Sequence, residues 1–509
     1  MSEQRGWEMM PSKILDLHTH VFNARSLPLA SIIADAMKKD SSLLATLVAR
    51  LLYFLTGSSY ESSVFSSLQA RTAGMAVQED TETYIDAIWA ITERELIATT
   101  QSEALIEGGP AAMATLTPGS LAAQRMDTSE LMALIRELDQ IDYLAEGWIP
   151  DEDDPAQDAG ILNVEFAPDS LALRRAEKAV KRAFRRLGKL MDPDAWGRYT
   201  NYIEFFFTLL SSERRMLDRL IDGYGYGLPP LRFVHFMMDM QLAYPSKRPP
   251  YYAPYPEQMQ RMQQLQRDSQ GALLGFWAFD PRREQWRTWA EQALAKGFLG
   301  FKFYPAMGYR PDGDEKYAQV IEDFYQFCVE KDVPIFAHCT PEGFQTRREE
   351  GHFANPSYWE TVLSRWPTLR LCLGHAGGGK AGKGEKLSHG WDAVSEAEWS
   401  HPNNYAYRVV TLCKRYPNVY CEVGHLAELL GETGRKRFLD NLARAEAIPG
   451  EYAFLHKLAY GTDWHMHTMI SSTRRFLDGF LSMFSDPLLA PYTDHFFWKN
   501  GYTYLKLPE

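Results

Sequence analysis

Cysteine is scarce in this chain and follows no pattern. Of 509 residues only Cys328, Cys339, Cys372, Cys413 and Cys421 are cysteine, all in the last third. Their number is odd, none form a CxxC pair, and no signal peptide precedes the first apolar segment, so reduced thiols in the cytoplasm are expected. Positive charge is also short. Lys and Arg total 54 against 66 Asp and Glu, a net charge of -12, which argues against a nucleic-acid partner because binding a phosphate backbone needs a basic footprint. The acidity instead favours a soluble cytoplasmic protein. No apolar run is long enough for a bilayer: the most apolar stretch, Ser42 to Gly57, is short and carries Arg50 in its middle. A buried helix is expected there, with no integral membrane segment. Internal repeats are absent. Global disorder is excluded by 45% hydrophobic and 24% charged residues.

From about residue 230 onward, apolar segments of strand length alternate with amphipathic stretches of helical length. The expected strands are Arg232–Met238, Ala272–Phe279, Leu299–Tyr304, Pro334–Cys339, Leu369–His375, Val419–Val423 and Leu458–Thr462. Helices are expected over Arg283–Lys296, Asp314–Lys331, Tyr358–Trp366 and Asn404–Tyr416. With Lys13–Leu17 in front, the strands number eight, and eight parallel strands separated by helices predict a (β/α)8 TIM barrel. Strands one and two are separated by roughly two hundred residues, far beyond a βα loop, so a folded insertion is expected. Its pattern is mostly helical: Leu27–Leu55, Thr81–Glu107, Ser129–Leu144, Leu171–Met191 and Asn201–Leu220. The acidic run Pro150 to Pro155 splits it, and a basic helix from Arg174 to Lys189 reads as a solvated face or an anion site. The division is thus residues 1–23 as first strand, 24–228 as a helical cap and 229–509 as the remaining barrel. An insertion after strand one emerges at the C-terminal face, where barrel chemistry takes place.

Chemistry-bearing residues gather at the predicted strand ends. The run Ile14-Leu15-Asp16-Leu17-His18-Thr19-His20 places two imidazoles at i and i+2, on one face of a strand. That is half of a tetrahedral metal site, or simply a strand end with solvated histidines. Lys302 lies in Gly300-Phe301-Lys302-Phe303-Tyr304, where an apolar strand forces its ammonium to pair with a carboxylate, lose its proton or be modified. His338 ends the fifth strand and His375 the sixth, before Ala376-Gly377-Gly378-Gly379; Asp463 follows the eighth. Each has a structural reading too, the histidines as core residues and Asp463 as a helix cap. Six metal-capable side chains at the ends of strands one, one, four, five, six and eight make a metal centre the reading that covers them all.

The motifs LDLHTH, GFKFYPAMGYRP, PIFAHC, LGHAGGG and YGTDWHM, with the terminal FWKNG, resemble the amidohydrolase superfamily, and within it the amidohydrolase-2 branch of metal-dependent hydrolases and decarboxylases. The resemblance covers residues 13–23 and about 230–509, leaving the insertion unmatched. It implies that His18, His20 and Asp463 bind one metal, that His338 and His375 bind a second, and that Lys302, carbamylated by CO2, bridges the two. Zinc suits such ligands best, while manganese or iron would be tolerated. Branch members with one metal use the HxH pair, the strand-five histidine and the strand-eight aspartate. His375 then acts as acid or base, and Lys302 is an ammonium that binds an anionic substrate.

The first expectation is metal-assisted hydrolysis of an amide, lactone or ester, with Asp463 and His375 as the catalytic residues and Asp463 moving the proton. The alternative is nonoxidative decarboxylation at a single metal. Relatives that decarboxylate often begin Glu-x-His, whereas Asp16 stands at that position here, which tilts toward hydrolysis. A noncatalytic binding protein on the same barrel is the remote third, marked by lost ligands; none is lost here. Tyr304, Arg310 and His465 are the candidates to meet a small-molecule substrate, Arg310 also having the reading of a salt bridge. Asp239 either lines the mouth or caps a helix, and Arg282 and Arg283 are expected to fix a loop. A homodimer is the expected assembly.

Overall fold

A computed structural model describes residues 10–23, 26, 213–240, 242–243, 255–341, 350–380, 387–469 and 471–509. The chain divides into two compact units, Met1–Phe22 with Leu217–Pro245 and Ala253–Glu509, and Asn23–Met216 with Ser246–Tyr252. The expected cap helices up to residue 212, the stretch Ser42 to Gly57 and the basic helix lie outside the described residues.

The first unit is the expected barrel. Eight parallel strands run in sequential order: β1 (Ile14–Thr19), β2 (Leu231–Phe236), β3 (Leu273–Phe279), β4 (Gly300–Phe303), β5 (Ile335–Ala337), β6 (Leu371–Leu373), β7 (Val419–Glu422) and β8 (Leu458–Ala459). The longer helices among the described residues are α1 (Glu213–Tyr224), α2 (Tyr255–Asp268), α3 (Trp286–Ala295), α4 (Ala318–Glu330), α5 (Ser357–Arg365), α6 (Tyr405–Arg415), α7 (Glu432–Ala447) and α8 (Thr473–Met483). Most strands are shorter than the apolar runs that encode them, because the strand ends bend into the loops that carry the polar residues. The passage from α3 to β4 shows how the sequence sets such a turn. Gly297 takes φ 89°. Its N–H bonds Leu294 O and that of Phe298 bonds Ala293 O, a Schellman stop. Among the described residues, no helix is long and apolar enough to cross a membrane.

The seam between β8 and β1 closes through the backbone. Leu17 N–H donates to Tyr460 O at 3.1 Å and Asp463 N–H to His18 O at 2.8 Å, while Thr19 bridges Trp464 in parallel. Asp16 reinforces the seam. Its carboxylate accepts from the backbone N–H of His18 (3.1 Å) and of Thr462 (2.9 Å), and from the hydroxyls of Thr462 (2.6 Å) and Tyr224 (2.7 Å).

A floor of apolar side chains fills the barrel: Leu15, Leu17, Val234, Phe236, Phe276 and Phe336 are all buried in one cluster. Gly300 is needed here for space, since a Cβ on it would lie 2.4 Å from the Phe276 ring. The register of β1 then slips: Asp16 faces Phe233, yet Thr19 faces His235, three steps against two. Leu15 and Leu17 point inward, so unbroken alternation would turn His18 and His20 away from the axis. The extra residue reverses the phase, and His18 lands against the inward rings of Phe236 (5.1 Å) and Phe336 (4.7 Å).

Candidate metal centre

Directly above this floor the strand ends bring together the six residues singled out in the sequence. His18 Nε2 lies 3.2 Å from His20 Nε2. Asp463 Oδ1 is 3.1 Å from the first and 3.2 Å from the second. Lys302 Nζ is 3.2 Å from His18 Nε2. His375 Nε2 lies 3.1 Å from His338 Nδ1, and ligand atoms of His18, His375 and Asp463 all fall within 4.8 Å of one another. All six side chains are buried, Lys302 to 1% exposure.

The donor set fits a divalent ion. Ions that hold imidazole and carboxylate at about 2.0–2.2 Å separate neighbouring ligands by about 3.0 Å in an octahedron and about 3.4 Å in a tetrahedron, and the observed separations fall in that interval. The second nitrogens of His20 and His375 are committed elsewhere. His375 Nδ1 lies 2.9 Å from Gly424 O and His20 Nδ1 3.4 Å from Phe236 O. A carbonyl only accepts, so each Nδ1 carries the proton and each Nε2 presents a lone pair to the centre. Burial keeps the rings neutral: it pulls His375 down to about 4, with Asp463 opposing, and pulls His18 well below its ordinary value, helped by Lys302. Burial pushes Asp463 up, but the imidazoles of His18, His20 and His375 that surround it outweigh that and hold the carboxylate well below its usual range.

Lys302 stands between two aromatic faces, its Nζ 4.4 Å from the ring centres of Phe236 and of Phe336. Burial lowers it to about 8, against the attraction of Asp463 and Glu422. Backbone geometry at the rim is unusual: His375, His425 and Asp463, after β6, β7 and β8, take φ near +60° although none is glycine. Such conformations cost about 1–3 kcal/mol each and persist where the surroundings impose them.

The expected substrate contacts divide. Tyr304 stacks on His338 with ring centres 4.1 Å apart. His465 is buried beside the centre, Nδ1 donating to His20 O at 3.0 Å and so bracing the β1 exit. Arg310 instead pairs with Asp312 at 2.5 Å and lies over Tyr358, the salt-bridge reading of that residue. Asp239 accepts twice from Arg283, and Arg282 pairs with Asp280. Asp16, two residues before His18, turns its oxygens to Thr462, Tyr224 and the seam.

Two residues at the centre were not singled out from the sequence. Glu422, the last residue of β7, lies 2.7 Å from His18 Nδ1; a carboxylate inside the apolar run Val419–Val423 was its visible signal. His425 Nδ1 lies 3.7 Å from Asp463 Oδ2. In the loop Gly424-His425-Leu426 nothing local marks it.

The amidohydrolase family model matches residues 257–484. A search of curated proteins finds no match. Among solved structures, 5-carboxyvanillate decarboxylase from Novosphingobium aromaticivorans, complexed with manganese, is 14% identical, with 66% of this chain and 91% of that chain covered at a TM-score of 0.39. An amidohydrolase from Burkholderia multivorans with bound zinc is 15% identical, with 55% and 84% covered at a TM-score of 0.37. The match spans the strand-three to strand-eight region, which carries Lys302, His338, His375 and Asp463, and over that region the chain is similar to the amidohydrolase family.

Proposed function

We propose that the protein is a metal-dependent hydrolase of small molecules, acting on an amide, lactone or ester. The observation that carries this is the convergence of His18 Nε2, His20 Nε2 and Asp463 Oδ1 within 3.1–3.2 Å of one another. His18, His20 and Asp463 would hold one divalent ion, zinc by preference, and His338 with His375 a second. The chemistry such an ion supplies is Lewis acidity, which polarises a carbonyl and brings the pKa of water down to about 7. Asp463 gives Oδ1 to the imidazoles of His18 and His20, and its Oδ2 lies 3.7 Å from His425 Nδ1. Ionised at neutral pH, Asp463 takes the proton of the attacking water and delivers it to the leaving group. His375, whose unprotonated Nε2 lies 3.1 Å from His338 Nδ1, is the second residue able to take a proton. Tyr304 and His465 wall the pocket, and the acidic, thiol-bearing chain suits the cytoplasm.

Lys302 decides the form of the centre. With a pKa near 8 it populates the neutral amine at physiological pH, and that amine adds to CO2, losing a proton and forming the carbamate that would bridge two ions. A second reading rests on its place between Phe236 and Phe336, which suits an ammonium. Unmodified, it would bind a substrate carboxylate beside a single ion, as decarboxylation requires. Metal analysis of the purified protein, its intact mass in bicarbonate, and turnover on panels of lactones, amides, esters and aromatic acids separate the two. Two ions, a mass increase of one CO2 and hydrolysis are expected. One ion, no added mass and CO2 release would establish the decarboxylase; no bound metal and no turnover would sink both.

A further inference from the structure

Glu422 carries a carboxylate that neither reading of the centre uses. It is fully buried at the end of β7, and both its oxygens are engaged. Oε1 accepts from His18 Nδ1 at 2.7 Å and from the His375 backbone N–H at 2.8 Å, and Oε2 accepts from the Gly424 N–H at 2.5 Å. One side chain thereby joins the strand-one imidazole to the end of strand six. The space around it is made by glycine. A Cβ on Gly461 would lie 2.3 Å from Oε2, and one on Gly424 would lie 2.9 Å from Oε2 and 3.1 Å from His18 Nδ1. Neither glycine has a positive φ, so these positions need the missing side chain and not the backbone freedom. His375 differs: it sits at φ 61° without being glycine, and its amide bond to Glu422 is one of the contacts that hold it there.

We propose that Glu422 is a positioning residue of the metal centre. It keeps the proton of His18 on Nδ1, aims the Nε2 lone pair at the point shared with His20 and Asp463, and raises the basicity of that nitrogen. Through the His375 amide it also sets the distance between the two halves of the centre, where the His18 and His375 rings lie 5.0 Å apart. The inference rests on the metal-centre reading above and adds a residue to it.

The test compares the metal-free full-length protein and its Glu422→Gln variant. Zinc affinity is measured by competition with a chromophoric chelator, the cobalt-substituted proteins are compared by visible spectroscopy, and the metal-free melting temperatures are recorded. Glutamine preserves volume and replaces the carboxyl group that faces His18 with an amide. Zinc affinity should fall by roughly 10–100-fold with an altered cobalt spectrum, while the metal-free protein melts within a few degrees of wild type. A lower melting temperature with unchanged affinity and spectrum would overturn the proposal, since that is what a purely structural carboxylate predicts. Gly461→Ala, which alters no polar group but presses on the same carboxylate, should also weaken zinc binding; unchanged affinity there overturns the proposal even if the glutamine variant fails to fold. Wild-type protein that takes up no zinc would instead remove the metal centre itself, a distinct outcome.

Discussion

The floor and the mouth of the barrel are built on the same eight strands, one side-chain layer apart, and obey opposite rules. In the floor, Phe236, Phe276 and Phe336 pack ring against ring, with centres 5.3 Å apart for the first pair and 4.2 Å for Phe236 and Phe336. Their burial is favourable on its own, at about 25 cal/mol per Å2 of apolar surface. In the mouth, a lysine, four histidines and two carboxylates are buried almost as completely, and there burial opposes the charged state of each group. Left-handed backbone at His375, His425 and Asp463 adds to that cost. The two layers meet at Lys302, whose amine rests on floor rings while facing His18. A preorganised polar centre is unfavourable in isolation, and the apolar layer beneath it offsets that cost.

The sharpest way to break this comparison is to alter the mouth without touching the floor. Asp463→Asn should lower turnover by roughly 10^2–10^4-fold while leaving the melting temperature near that of wild type; intact turnover with metal bound would show that the proton moves by another route. The converse change, Phe276→Ala, should cost about 3–5 kcal/mol in denaturant unfolding and leave the zinc affinity of the folded protein unchanged. If affinity falls in parallel, the layers are not separable.

Acid should act first on the buried histidines of the mouth. Burial first, and then neighbouring charges, holds His465 and His467 down to about 3, so both are neutral when folded but take up protons below 6.5 when unfolded. Their contribution is therefore complete above pH 6.5 and lost as pH falls toward 3. At pH 5 each destabilises the fold by about 2 kcal/mol relative to neutral pH. Asp16 and Glu422, raised by burial to about 6 and about 8, work in the opposite direction, while His18, His20 and His375, also lowered by burial, add to the loss. Melting of the metal-free protein should accordingly drop between pH 7.5 and 5, and a flat profile would contradict the buried neutral state. The smallest effect is expected from Arg310→Ala. Its pair with Asp312 is partly exposed and worth at most about 1 kcal/mol, and KM should stay put; a large rise in KM would return Arg310 to the substrate pocket.

Much of this architecture is legible locally. Apolar runs of strand length spaced by helical stretches announce a parallel barrel, and His18, His20, Lys302, His338, His375 and Asp463 stand out because each is a polar group ending or interrupting such a run. What local pattern does not report is phase and partnership. Alternation along β1 would put His18 on the side opposite Leu15 and Leu17; the extra residue that turns it inward shows only in the register against β2. Arg310 and Tyr304 follow the same strand and look alike as candidates, yet one finds Asp312 two residues away and the other finds His338 at the end of the neighbouring strand. His425 and Glu422 act on partners far off in sequence, His18 being 404 residues from Glu422.

The sequence by itself therefore determined the barrel, the order of its strands and the identity of the polar groups at their ends, because hydrophobic periodicity and residue chemistry are local properties of a chain. Which nitrogen of each imidazole faces the centre, which carboxylate braces it, and that Asp16 holds the seam while Asp463 joins the cluster were decided only when distant strand ends met. Hydrogen-bond partnership in a closed barrel is a matter of distance in space, and the spacing of residues along the chain does not encode it.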